Sequence, residues 1–138
     1  MQGPAVKRAL ALLAAFAAPA HADLVRCHVL YGGEEFPVVA QPAGDPYTVQ
    51  GQRIGRYFEF KVAYITTPAE FSALSVYVYA TSSGEPVLIH QAKFPVSVAN
   101  GAPPWGFTGL HSVYEPSKSS ELQYWCEKAQ GDVDPAAH

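Results

Sequence analysis

Histidine, cysteine and aromatic side chains are the groups in this chain whose types and spacing could carry chemistry. His28, His90 and His111 are candidate metal ligands, because imidazole suits copper and zinc and exported β-sandwiches do host copper. His138 stands apart in the C-terminal tail. His90 falls between Leu88 and Ala92 on an apolar face, where a histidine is also explained as a core residue satisfied by one hydrogen bond. The only methionine is Met1, so the thioether ligands expected of copper(I) carriers are missing from the rest of the chain. A copper- or zinc-binding protein using these three histidines is therefore an alternative reading rather than the leading one.

Cys27 adjoins His28, which raises the possibility of a Cys–His chelate. Alternation along a strand sends consecutive side chains to opposite faces, so this dipeptide cannot easily act as one ligand. A lipid anchor at Cys27 would need a small-residue box before it, whereas Leu24-Val25-Arg26 precede it. Cys126 is the one other cysteine, and an even count outside the cytoplasm reads as a disulfide. A Cys27–Cys126 bridge would close a loop worth about 4–5 kcal/mol in the chain-entropy account.

Catalysis needs a nucleophile, or a general acid and base held together. The chain has no G-x-S-x-G, C-x-x-C, C-x-x-C-H or H-E-x-x-H motif and no phosphate-binding glycine loop. Asp23, Asp45, Asp132 and Asp134 fall at expected ends or loops, and the adjacent Glu34 and Glu35 point to opposite faces of a strand. A non-catalytic protein is expected. The remaining option is recognition through aromatics. Tyr57, Tyr77 and Tyr79 sit on faces opposite the expected core, and Trp105 and Phe107 belong to the loop P-P-W-G-F at 103–107. Exposed rings of this kind stack on sugars or anchor protein interfaces.

The elements that would position these groups are short strands. Residues 1–22 read as a cleaved signal peptide: Lys7 and Arg8, an apolar run over 9–18, then Ala20-His21-Ala22 before Asp23. That run is too short to cross a bilayer, which takes about 20 apolar residues. Its Ala-rich character suggests a bacterial chain bound for the periplasm or beyond. Removing Lys7 and Arg8 takes the formal charge from −3 to −5. An acidic chain without a basic stripe is a poor match for nucleic acid or anionic lipid.

Val25, Cys27, Val29 and Tyr31 share one face of a first strand that ends at Gly32-Gly33. Glu35–Ala40 makes a second, placed at a sheet edge by Pro37, which donates no ladder hydrogen bond. Phe58, Phe60, Val62 and Tyr64 alternate cleanly with Glu59 and Lys61 along Arg56–Ile65. T-T-P-A-E-F at 66–71 crosses over with one helical turn, and Leu74, Val76, Val78 and Ala80 then face one way. Leu88, His90, Ala92 and Phe94 form the more apolar face of the next strand, and residues 95–106 a long loop. Phe107–Tyr114 and Leu122–Glu127 complete the set, with Leu122, Tyr124 and Cys126 on one face.

Seven or eight such strands predict one antiparallel β-sandwich over 23–128, its terminal strands joined by the disulfide, with a small β-barrel as the alternative. It is immunoglobulin-like in general shape only, because the bridge joins terminal rather than internal strands. Residues 129–138 read as a disordered tail. The expected role is an exported binding or accessory/assembly domain without a cofactor and without membrane insertion. Its partner would be another exported protein or a glycan.

Overall fold

The computed structural model describes residues 21–96 and 104–132. Among the described residues, nine strands form two sheets packed face to face. The first sheet holds β1 (His21–Tyr31), β2 (Glu34–Ala40), β8 (His111–Glu115) and β9 (Ser120–Asp132) in the order β2-β1-β9-β8. The second holds β3 (Pro42–Ala43), β4 (Gln52–Ile54), β5 (Phe58–Ile65), β6 (Ala73–Ala80) and β7 (Val87–Pro95). Its order is β3-β5-β6-β7, with β4 also on β5. All pairings are antiparallel except the two-residue contact of β3 with β5. Among the described residues no ladder links the two sheets, so the fold is a sandwich and not a closed barrel.

Alternation explains which residues fill the space between the sheets. Val25, Cys27 and Val29 face inward from β1, and Leu122, Tyr124 and Cys126 from β9. Phe58, Phe60 and Val62 of β5 and Leu74, Val76 and Val78 of β6 meet them from the other sheet. Phe60 packs edge-on against Tyr124 with ring centroids 5.4 Å apart. Fully burying side chains of this size gains about 1.5–3 kcal/mol each. Pro37 sits on β2, an edge strand as its missing N–H requires. The expected helical turn in the crossover is a single 3-10 turn, Ala69–Phe71.

The disulfide joins Cys27 to Cys126 as directly opposed residues of neighbouring strands, with Cα atoms 4.0 Å apart. It therefore ties the chain's two end strands within one sheet and does not cross the core.

Three expectations need correction. β7 carries a bulge: His90 opposes Val78, but Leu88 opposes Tyr79, leaving Ile89 as the extra residue. Parity reverses there, so Leu88 is exposed and Ile89 packs on the core, while His90 and Phe94 keep their inward side. The strand expected at Phe107–Tyr114 begins only at His111. Gly106 and Gly109 hold φ of +64° and +78°, outside the extended backbone of a regular strand. Finally, β9 runs past the expected boundary at 128, with Ala129 and Gln130 paired to Leu24 and Asp23 of β1. Residues 1–20 of the expected leader and 133–138 of the tail lie outside the described residues. Part of the 95–106 loop does so too.

Candidate functional site

On β1 and β9 the side chains that alternate with the core set point away from it. Because Cys27 opposes Cys126, their neighbours His28 and Trp125 are also opposed, on the outer face. Their rings stack with centroids 4.0 Å apart and planes 7° from parallel. His28 Nδ1 lies 2.6 Å from a carboxylate oxygen of Glu35 on β2, and Nε2 lies 2.6 Å from one of Glu127 on β9. With a carboxylate against each ring nitrogen, His28 presents no open position to a metal.

Trp105 extends this row. Its ring meets Trp125 edge-to-face at 5.9 Å, and the residue is 39% exposed. The loop carrying it is seated on the edge of β9, beyond the start of β8. Phe107 N donates to the Cys126 carbonyl at 3.1 Å, and Cys126 N donates to Thr108 Oγ1 at 2.9 Å. Trp105 O accepts from Gly109 N at 3.1 Å and closes the turn. A Cβ on Gly106 would fall 2.1 Å from the Cys126 carbonyl oxygen, so only glycine lets the loop approach so closely. Pro37, His28, Trp125 and Trp105 thus form a transverse row of rings across the first sheet. Adjacent strands are about 4.8 Å apart, which makes the row roughly 15 Å long. Arg26, Glu35, Gln123 and Glu127 flank it.

The structure divides the aromatic surface read from the sequence. Tyr77 and Tyr79 lie on the outer face of the second sheet, across the sandwich from Trp105. Lys61 Nζ sits 5.1 Å from the Tyr77 ring centroid. Burial, with Tyr77 and Glu59 nearby, pushes the Tyr79 phenol up. Tyr57 and Phe107 are partly buried against the core, so neither stands free, and Lys118 lies over the Tyr57 ring at 5.7 Å. Only Trp105 of the expected set anchors the row. Trp125, Glu35 and Glu127 were missed, although pairing the two cysteines in register would have brought Trp125 beside His28.

The candidate metal ligands are divided as well. His90 and His111 come together at the seam where β7 faces β8, with ring centroids 6.2 Å apart. His90 Nε2 is 2.6 Å from the Tyr124 hydroxyl. The His111 ring stacks on Tyr124 at 5.2 Å, meets Phe94 edge-on at 5.1 Å, and donates from Nε2 to the Thr108 carbonyl at 2.8 Å. Burial, and then the neighbouring His111, hold His90 below its ordinary value, while burial pushes the Tyr124 phenol far up. His28 is on the far side of the first sheet, so the expected three-histidine set does not form. Among the described residues no group of three or more His, Cys, Asp or Glu side chains converges on one point.

Two polar clusters serve the frame. Glu115 accepts from Ser117 N at 2.8 Å and from Ser117 Oγ at 2.6 Å, and Ser117 Oγ meets Ser82 Oγ at 3.3 Å. This joins the β6–β7 turn to the β8–β9 turn. Asp23 is bound by Lys128 and, at 2.9 Å, by the Tyr64 hydroxyl, which fastens β1 to β9 and β5. No family model matches the chain, and neither the curated proteins nor the solved structures contain a significant match.

Proposed function

We propose that this chain is an exported, non-catalytic recognition domain that holds its partner on the outer face of the first sheet, with Trp105 as the anchor. The observation that carries this reading is the rigid presentation of an exposed indole. The loop of Trp105 is hydrogen-bonded to the β9 edge, and its ring rests on Trp125, which rests on His28, which is held by two glutamates. A ring fixed before binding loses little side-chain entropy when a ligand arrives, which is why Trp dominates many contact energies. The polar flank of Arg26, Gln123 and Glu127 supplies groups that would orient the ligand. The partner is a glycan or the surface of another exported protein.

Export is supported by the leader pattern of residues 1–22 and by the disulfide. No helix among the described residues is long and apolar enough to cross a membrane. The destination is the periplasm or the space beyond it.

Trp105→Ala tests the reading. Screening of the untagged protein against a glycan array, and co-purification from an exported-protein fraction, would identify the partner and its class. The variant should weaken the complex by about tenfold or more, the usual scale of a hot-spot aromatic. Its thermal unfolding should stay near that of the parent. A complex of unchanged affinity would remove this face from consideration.

A further inference from the structure

The recognition reading leaves the seam between β7 and β8 unused, and two imidazoles meet there. We propose that His90 and His111 together bind one divalent copper ion, with water completing its coordination. The inference is independent of the face built on Trp105.

Ring separation bears on whether one ion can hold both rings. A metal lies about 2.0–2.1 Å from a ligating imidazole nitrogen, itself roughly 1.1 Å from its ring centroid. Two rings on one ion therefore have centroids at most about 6.4 Å apart when the ligands are opposed, and about 5.2 Å apart at a tetrahedral angle. The observed 6.2 Å stands at the wide end. That separation lies within the span of two rings on one ion, and copper(II) leads the divalent affinity order, which selects it for a pair of imidazoles.

Hydrogen bonding leaves ligand atoms available. His111 donates from Nε2 to the Thr108 carbonyl, which leaves Nδ1 with its lone pair. Donation of the far ring N–H to a backbone carbonyl is the usual way a ligating histidine is oriented. His90 is oriented by Tyr124 through Nε2, and among the described residues nothing bonds its Nδ1. Both rings are only partly buried, so an ion can reach them from solvent. Tyr124 positions His90 through its hydroxyl. His28 has both nitrogens occupied and takes no part.

The test titrates copper(II) sulfate into the untagged, EDTA-dialysed protein against a glycine competitor, with electron paramagnetic resonance as a second readout. One ion per chain is expected, with nitrogen hyperfine structure from two imidazoles. His90→Gln and His111→Gln should each weaken binding at least tenfold, while His28→Gln and His138→Gln leave it unchanged. His111→Gln removes a partly exposed ring and should fold even if His90→Gln does not, which unfolding curves will show. Absence of binding above the competitor overturns the proposal. So does affinity unaffected by His111→Gln, or zinc bound more tightly than copper.

Discussion

Reducing the disulfide should cost this protein a large part of its stability, and the structure indicates how much. The bond joins residues 99 apart in sequence, so in the unfolded chain it closes nearly the whole described length into one loop. The chain-entropy relation gives about 4.7 kcal/mol for a loop of that size. Ordinary domains are stable by only about 5–15 kcal/mol. Reduction leaves both sulfurs in place at positions with no solvent exposure, so it adds little cavity cost to the entropic one. The assay is urea unfolding of the oxidised and the phosphine-reduced protein, followed by tryptophan fluorescence. With a slope of about 1–3 kcal/mol/M, the midpoint should fall by roughly 1.6–4.7 M. Free-thiol labelling of the unfolded, unreduced protein should find none. A midpoint shift under about 0.5 M would refute the claim that the bond constrains the unfolded chain. Because His28 and Trp125 flank the bridge, the near-ultraviolet circular dichroism of the stacked pair should be lost at the same midpoint.

Gly106→Ala places a Cβ against the Cys126 carbonyl at a φ of +64°, so the loop must lift from β9. A cost of about 1–3 kcal/mol is expected, with changed Trp105 fluorescence, and an unaltered spectrum would show that the loop is not seated there. Tyr124→Phe removes the hydroxyl bonded to His90 and should cost about 1–3 kcal/mol by leaving a half-buried imidazole without its partner. Equal stability in denaturant would mean that the bond is idle. Lys128, as hydrogen-bond donor, holds the Asp23 carboxyl below its ordinary value of 3.8. The stability this contributes is fully present above that value and is lost as pH falls through the lower folded one. Asp23 is exposed although Lys128 is mostly covered, so Asp23→Asn should cost on the order of 1 kcal/mol at neutral pH. The difference should vanish in strong acid, and a deficit that persisted there would assign the cost to packing.

Much of this fold could be read from alternation alone, because side-chain parity along a strand is a local property. The core faces of β1, β5, β6 and β9 follow directly from runs such as Phe58, Phe60, Val62 and Tyr64. The two cysteines likewise determined their bridge, since each had one possible partner. Parity fails wherever the backbone departs from two-residue repeats, and no residue type announces the bulge that turns Leu88 outward and Ile89 inward. Register is the larger matter. Sequence decides that Trp105, Tyr77 and Tyr79 point away from a core, yet which sheet each belongs to depends on ladders between distant segments. Pairing of β1 with β9 put Trp125 on His28 and drew in Glu35 and Glu127, while Tyr77 and Tyr79 went to the opposite face. The same contacts split the three histidines, because His28 looks outward from the sheet whose inner side, through Tyr124, meets His90 and His111. Which groups can act together is set by non-local pairing, and only the tertiary structure decides it.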